Sequence, residues 1–367
     1  MLDTRSGNGY QGKLIANTPI TFQVTGRVGI PAGAVAVTGN VTVVKPSAGW
    51  ALYIGPAPKA SPATSTINFT AGQTIGNGLT VALSGTGSLS ATYMSGAGSR
   101  CDLVLDVTGY YTADNSGQTY HAMVPVRDLD TRIGNGLTGK LVANTPRTFA
   151  VAGRNGVPVN AKAVTGNVTV VGPSYGWAVY LGPSPLSAPT TSALNFAAGA
   201  TSGNNLTVPL SSTGTLSATF MSTTGSTTDL VFDVTGYYTA DLSGLRFVAI
   251  EPGRLLDTRN GNGLLGRLTA NTPRTFGVSG RSGIPANAAA VTGNLTVVDQ
   301  TASWALYLGP TSQTWPSTST LNFTAIETRG NGLVVALGPG GTLSITYMSS
   351  PGATCHAVFD ATGYFVL

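Results

Sequence analysis

The stretch Leu2-Asp3-Thr4-Arg5 occurs three times in this sequence and sets its organisation. The other copies occupy residues 129–132 and 256–259, so consecutive copies stand 127 residues apart. The same interval separates Trp50, Trp177 and Trp304, without any insertion or deletion. This period exceeds the ~20–50 residues of solenoid or propeller units and matches the size of a whole domain. We therefore predict three tandem domains, over residues 1–119, 120–246 and 247–367, joined like beads at residues 112–119 and 239–245.

Apolar and polar residues alternate within each copy as they do in β-strands. Leu79, Val81 and Leu83, for example, alternate with Thr80 and Ala82, and no segment of ten residues has the period of a helix. Alternation with a period of two favours a sheet with one buried and one hydrated face. We predict an all-β protein with essentially no helix, in which each copy is a β-sandwich or jelly-roll domain of about seven to nine strands.

The first copy differs from the others at its beginning. The sequence predicts a strand just before the Asp-Thr-Arg motif in the second and third copies, at residues 121–126 and 247–250. The first copy starts at Met1 and lacks this strand. Either the sequence has been trimmed, or the first copy has an open sheet edge, which would be a template for a strand from another chain.

Charged residues make up only 9% of the sequence, against roughly 25% in an ordinary soluble domain. Hydroxyls and amides supply most of the polarity, and low charge leaves little repulsion between copies of the chain. We therefore expect other copies of the same chain as partners. The basic residues are scattered singly, although the net charge is +5, so no nucleic-acid partner is expected.

Four charged positions keep the same residue in all three copies. They are Asp3, Arg5, Arg27 and Asp106 in the first copy, Asp130, Arg132, Arg154 and Asp233 in the second, and Asp257, Arg259, Arg281 and Asp360 in the third. A guanidinium offers two parallel donors to a carboxylate, so acids and arginines in a nearly uncharged domain are expected to pair. We predict a structural clasp between the entry segment and the last strand. An acid/base carboxylate pair or a calcium loop are alternatives that the spacing supports less well.

The two cysteines, Cys101 and Cys355, occupy the same position in the first and third copies, where the second copy has Thr228. A disulfide within one copy is therefore impossible. Two half-buried free thiols are one interpretation. An intermolecular or inter-copy disulfide in an oxidising compartment is the other.

Motifs for catalysis or cofactor binding are weak in this sequence. Residues 7–12 match the G-x-G-x-x-G pattern, but Pro19 follows where a dinucleotide site needs a long helix. The only histidines, His121 and His356, stand at non-equivalent positions, so no catalytic triad or metal-ligand spacing recurs. We predict no catalytic residue, no cofactor and no metal, and hence no enzyme.

Aromatic residues offer the best candidates for contacts with a ligand. The Trp-Ala-(Leu/Val)-Tyr segments are expected to place one aromatic in the core and one toward solvent. We take Tyr53, Tyr180 and Tyr307 as interaction candidates, together with Trp315 in a Pro-containing loop where the copies differ most.

A family resemblance accompanies these observations. The segments at residues 254–259 (RLLDTR), 291–298 (VTGNLTVV), 321–323 (LNF) and 360–365 (DATGYF), with their partners in the other copies, resemble repeat modules of secreted and surface proteins from actinobacteria and related bacteria. The resemblance spans essentially the whole chain. It implies an extracellular β-rich module and no settled activity, so it supplies no catalytic residues.

These observations predict a non-enzymatic, extracellular or cell-surface protein with a structural or adhesive role. Self-assembly into a filament or surface layer, by strand complementation at the first copy, is the leading hypothesis. A carbohydrate- or cell-wall-binding module with exposed aromatics is the alternative, with glycans as partners. No apolar run approaches the ~18 residues of a membrane helix, and no signal segment precedes the first motif.

Overall fold

A computed structural model describes residues 1–114 and 116–367. Asn115, inside the junction predicted at residues 112–119, lies outside the described residues. The protein is built from β-strands that follow the alternation seen in the sequence. Within the described residues no helix is long and apolar enough to cross a membrane.

Each repeat contributes nine strands. In the first repeat they are Leu2–Asp3 (β1), Leu14–Ile15 (β2), Ile20–Gln23 (β3), Ala34–Val44 (β4), Trp50–Gly55 (β5), Ile67–Phe69 (β6), Thr74–Ala82 (β7), Ser88–Met94 (β8) and Arg100–Thr112 (β9). In the second they are Thr119–Asp130 (β10), Leu141–Val142 (β11), Arg147–Ala150 (β12), Ala163–Val171 (β13), Trp177–Gly182 (β14), Leu194–Phe196 (β15), Ser202–Pro209 (β16), Thr215–Met221 (β17) and Thr227–Thr239 (β18). In the third they are Arg246–Asp257 (β19), Leu268–Thr269 (β20), Arg274–Gly277 (β21), Ala290–Val298 (β22), Trp304–Gly309 (β23), Leu321–Phe323 (β24), Arg329–Ala336 (β25), Thr342–Met348 (β26) and Thr354–Val366 (β27).

The strands of each repeat form two antiparallel sheets. In the first repeat one sheet has the order β1-β9-β4-β7, with β2 also beside β9, and the other has the order β3-β8-β5-β6. The second and third repeats have the same two sheets. The six sheets are organised as a six-bladed β-propeller, two blades to a repeat. The all-β part of the predicted fold class is confirmed for the described residues, but the prediction of three β-sandwich or jelly-roll domains is wrong.

The error has a physical cause. A period of two specifies that a segment is a strand, but it does not specify how strands are grouped into sheets. The 127-residue period was taken to exclude propeller units because one unit was assumed per repeat, whereas each repeat supplies two blades. Neighbouring blades of one repeat share a hydrophobic core, as the cluster around Phe22, Val41, Leu52 and Tyr93 shows for the first repeat.

The inner strands β7, β16 and β25, one from each repeat, contact one another at the centre of the molecule. The alternation in the sequence predicted a hydrated face for these strands. The structure differs, because the polar sequence Gly76-Asn77-Gly78 in β7 is buried. Side-chain amides bridge the repeats there, which satisfies buried polar groups that would otherwise destabilise the fold. The bonds are Asn204 Nδ2 to Asn40 Oδ1 (2.8 Å), Asn331 Nδ2 to Asn167 Oδ1 (2.9 Å) and Asn77 Nδ2 to Asn294 Oδ1 (2.9 Å).

These amide bonds close the three repeats into a ring. The second repeat bonds to the first, the third to the second, and the first to the third, so the repeats are related by an approximate threefold axis. The expected string of independent beads is therefore wrong. The prediction of a filament is corrected as well, because the repeats close on one another within a single propeller and do not form an open array.

Candidate functional site

Three tryptophans at equivalent positions stand out on the surface. Trp50, Trp177 and Trp304 begin the strands β5, β14 and β23 and are 67%, 61% and 58% exposed. Their φ angles are 145°, 156° and 143°, in a region that essentially only glycine adopts without strain. Such a backbone costs about 1–3 kcal/mol per residue and persists only where the surroundings impose it. A strained, exposed indole that occurs three times is the candidate for a binding surface.

Neighbouring strands hold the loop before each tryptophan in place. In the first repeat the Tyr93 hydroxyl donates to the carbonyl oxygen of Ala48 at 2.6 Å. The Ser95 hydroxyl donates to the carbonyl oxygen of Gly49 at 3.0 Å, and Asn17 Nδ2 donates to the carbonyl oxygen of Ser95 at 2.8 Å. The second repeat keeps the serine and asparagine bonds, and the third repeat keeps all three. These bonds fix the backbone that precedes each tryptophan, so the neighbouring strands determine where the indole lies.

The polar groups beside the tryptophans are hydroxyls, whereas the charges vary. Ser47, Ser174 and Thr301 are exposed at the same position, three residues before each tryptophan. Five residues before the tryptophan the three repeats have Lys45, Gly172 and Asp299. A ligand common to all three surfaces therefore meets an indole and a hydroxyl, but no consistent charge. We call each exposed tryptophan with its preceding loop a tryptophan surface, over residues 45–50, 172–177 and 299–304.

The tyrosines chosen from the sequence are not at the surface. Tyr53, Tyr180 and Tyr307 are buried, and burial raises the pKa of all three phenols. Tyr53 lies in a cleft between the first and third repeats, beside Pro252 and Asn294. The three tyrosines are therefore not the exposed platforms that were expected. The third repeat lies beside Tyr53, whereas Tyr307 packs against Ala305 and Met348 of its own repeat. Trp315 is exposed, but no equivalent aromatic occurs in the other repeats.

The reason for missing the tryptophans lies in the same alternation. Trp50 and Leu52 stand two residues apart, so a regular strand would place both in the core. The positive φ at Trp50 turns its side chain out of that register, while Leu52 stays buried. The recurrence of tryptophan directly after a small residue, Gly49, Gly176 or Ser303, was the available signal.

The predicted clasp exists only in part. The Asp and Arg of each motif pair with each other: Arg5 Nε and Nη2 donate to the two oxygens of Asp3 at 2.9 and 2.7 Å. Asp130 with Arg132 and Asp257 with Arg259 repeat this geometry. Hydrogen bonds from these arginines hold the pKa of Asp3, Asp130 and Asp257 below its usual value.

The second set of arginines binds elsewhere than expected. Arg27, Arg154 and Arg281 donate to the side-chain oxygens of Asn8, Asn135 and Asn262, the asparagines of the turn that follows each motif. Among the described residues they make no ion pair with Asp106, Asp233 or Asp360, as salt bridges from other arginines show. They therefore brace the turn and do not tie the entry segment to the last strand.

The tie to the last strand comes from two arginines that the sequence reasoning missed. Arg127 Nε and Nη2 donate to the two oxygens of Asp233 at 2.9 and 3.2 Å. Arg254 binds Asp360 in the same way, at 2.8 and 3.0 Å. Both stand three residues before the motif aspartate, Asp130 or Asp257, which was the available signal. Among the described residues no arginine makes a salt bridge with Asp106, unlike Asp233 and Asp360.

The cysteines are fully buried in two different cores. Burial raises the pKa of both thiols to about 12. Neither sulfur is at the surface, so the expectation of an intermolecular disulfide through Cys101 and Cys355 is wrong for this fold.

No group of three or more His, Cys, Asp or Glu side chains that could hold a metal ion occurs in residues 1–114 and 116–367. No family model matches this sequence, and no curated protein matches it either. The resemblance to bacterial surface repeat modules therefore stays a prediction.

Proposed function

We propose that this protein is a non-enzymatic, extracellular carbohydrate- or cell-wall-binding module. The observation that carries the proposal is the threefold occurrence of an exposed tryptophan on a strained backbone, at residues 50, 177 and 304. An indole offers a large flat apolar face and one N–H donor. The C–H face of a pyranose ring stacks on such a surface, and the neighbouring hydroxyls can bond to the sugar hydroxyls.

The charge distribution favours a neutral ligand. Lys45 and Asp299 stand at the same position of two repeats and carry opposite charges, while Gly172 carries none. An ionic ligand would bind one surface and be repelled by another. A neutral polysaccharide would meet the same indole and hydroxyl at all three surfaces.

The threefold arrangement favours multivalent binding. The approximate symmetry places the three tryptophans at one level along the axis. A polysaccharide particle or cell wall presents many copies of one sugar, so a second contact becomes intramolecular after the first. Weak individual surfaces can then retain the protein strongly without a deep pocket.

The test is retention of the protein by insoluble neutral polysaccharides, with Trp50→Ala, Trp177→Ala and Trp304→Ala tested singly and together. We expect each single change to weaken retention, and the triple change to abolish it. Trp315→Ala is the matched control, since it removes an exposed indole outside the repeated surfaces. The proposal is wrong if no neutral polysaccharide retains the protein, or if the triple variant is retained as well as the original.

A further inference from the structure

The turn beside the third tryptophan contains a strained isoleucine. Ile326 has a φ of 66°, in the left-handed region that a β-branched side chain rarely adopts. The equivalent residues of the other repeats are Gly72 and Gly199, with φ angles of 74° and 73°. Glycine adopts this conformation without steric cost. The third repeat therefore carries a bulky side chain in a turn whose geometry favours glycine.

The fold itself gains little from this side chain. Ile326 is 90% exposed, so it buries almost no apolar surface against the rest of the chain. A residue that adds strain without burial lowers the stability of the native state. Strained residues of this kind are found at ligand-binding sites, where the surrounding structure imposes their conformation.

A buried glutamine holds the turn of Ile326 in place. Gln300 is buried and stands where the other two repeats have proline. Its Nε2 donates to the carbonyl oxygen of Thr324, at 2.7 Å, and to that of Glu327. These two carbonyl groups lie on either side of Ile326, so both ends of the turn are fixed. The isoleucine and the glutamine that braces its turn both occur in the third repeat alone.

Ile326 and Trp304 border the same surface. The backbone N–H of Ala325 donates to the Ser303 hydroxyl at 2.9 Å, and that of Ile326 donates to the carbonyl oxygen of Gln300 at 3.3 Å. Both acceptors belong to the third tryptophan surface, which ends in the exposed indole. The isoleucine thus adds an exposed aliphatic group beside that indole.

The charges around this surface balance one another. Arg329 makes an ion pair with Glu327 at 3.2 Å. Arg267 Nη1 donates to the carbonyl oxygen of Asp299 at 2.6 Å, which brings a second arginine next to a second acid. These two acids and two arginines together carry no net charge. The surface therefore favours a neutral ligand.

We propose that Ile326 makes the third tryptophan surface selective for neutral polysaccharides of N-acetylated sugars, a specificity that rests on the carbohydrate binding proposed above. The face of the pyranose ring stacks on Trp304, and the methyl group of the acetamido substituent packs against Ile326. A sugar with a hydroxyl in place of the acetamido group would bury a polar group against an aliphatic side chain, which is unfavourable.

The experiment compares two soluble probes that differ in this substituent, chitotetraose with N-acetylglucosamine units and cellotetraose with glucose units. Isothermal titration calorimetry uses the full chain with Trp50→Ala and Trp177→Ala combined, which keeps only the third surface. Chitotetraose should bind about fivefold more tightly than cellotetraose, as expected for one buried methyl group. Adding Ile326→Gly should remove this difference by weakening the binding of chitotetraose. The same change should raise Tm, because glycine adopts the turn without strain, so the weaker binding does not come from unfolding.

Val28→Gly is the matched control. Val28 is also exposed and has a positive φ, 49°. It precedes β4, whereas the first tryptophan surface follows β4, so the two lie at opposite ends of this strand. Val28→Gly should therefore raise Tm in the same way and leave the affinity for both probes unchanged.

Equal affinity for the two probes, or undiminished binding of chitotetraose by Ile326→Gly, would overturn the selectivity and leave the carbohydrate binding intact. Lack of binding to both probes would overturn it as well, and retention of the original chain by insoluble cellulose would then show that the proposed function still holds. Tighter binding of the disaccharide of N-acetylglucosamine and N-acetylmuramic acid than of chitotetraose would also contradict the proposal, because that ligand is charged.

Discussion

Asp106 and Asp360 occupy the same position in two repeats, but only Asp360 binds an arginine among the described residues. Burial raises the pKa of Asp360, and the two bonds that this carboxylate accepts from Arg254 oppose the rise. Asp106 has no arginine, and desolvation raises its pKa. A group whose pKa is higher in the folded than in the unfolded state is favoured in the protonated form, so an ionised Asp106 lowers stability.

We therefore expect opposite effects from the same substitution at these positions. At pH 7 Asp360→Asn should lower the free energy of unfolding by about 2–4 kcal/mol, because Arg254 loses both bonds to that carboxylate and is left with the 3.3 Å contact to Asp257. Asp106→Asn should leave it unchanged or raise it by up to about 1 kcal/mol. That gain should vanish near pH 3, where Asp106 is protonated in both states. Urea denaturation at the two pH values measures both effects, and an equal loss in the two variants would contradict the account.

The exposed tryptophans show strain at the level of a single residue. At Trp50 the φ of 145° favours glycine, which avoids a cost of about 1–3 kcal/mol there. At an ordinary strand position glycine is instead less stable than alanine by roughly 0.5–1 kcal/mol. At Trp50 the relief of backbone strain by glycine is therefore larger than the ordinary loss of stability that glycine causes in a strand.

Trp50→Gly should consequently be more stable than Trp50→Ala by about 1 kcal/mol, since both lose the same indole contacts and only glycine relieves the backbone. Thr21, an exposed residue within β3, provides the control. There Thr21→Ala should be the more stable of the corresponding pair. Chemical denaturation measures the stability of the four variants. If the alanine variant were the more stable one at both positions, Trp50 would be unstrained.

At the level of the elements, the sequence predicted where the strands lie, but it did not predict which faces of the strands are covered by other parts of the chain. β7 covers residues 74–82, where Leu79 and Val81 alternate with Thr80 and Ala82. The strands expected at residues 121–126 and 247–250 lie within β10 and β19. Local alternation suffices for such assignments because it reports which residues can share a face.

The grouping into blades and the candidate site depend on contacts that alternation does not carry. Tyr53 was placed toward solvent because its own strand has two faces, but the third repeat covers that face. Trp50 was aligned with Leu52, but a positive φ reverses its direction. The roles of Arg127 and Arg254 depend on pairing with a strand about 100 residues away. Each of these facts belongs to tertiary structure.

The outer edge of β9 has a consequence that backbone exchange measures. Among the described residues its outer half is bonded only to β4, whereas the equivalent halves of β18 and β27 lie between two strands. Amides at residues 107–112 should exchange with deuterium faster than those at residues 234–239 and 361–366, because fewer bonds must open. Hydrogen-exchange mass spectrometry resolves these peptides. Equal protection in all three segments would mean that something already covers β9.

At the level of the whole molecule, the ring depends on close approach at its axis. Position 78 and its equivalents, 205 and 332, meet where β7, β16 and β25 converge. They are Gly78, Asn205 and Gly332, so only one of the three carries a side chain. A Cβ built on Gly332 would collide with the carbonyl oxygen of Gly78, and one built on Gly78 would collide with that of Asn205. Backbone amides are bonded there by asparagine side chains of the neighbouring repeat, at 2.6–3.0 Å.

Gly332→Ala should for this reason weaken all three repeats together. The added methyl group must displace backbone, with a typical cost of about 1–3 kcal/mol, and the ring transmits that loss because each repeat is bonded to both others. Calorimetry should show one cooperative transition for the original chain and one transition at lower temperature for the variant. Gly85→Ala is the control, since a Cβ there meets no atom within 4 Å. If Gly332→Ala instead separated the melting of the third repeat from that of the others, the repeats would be independent units and the closed ring would contribute little to their stability.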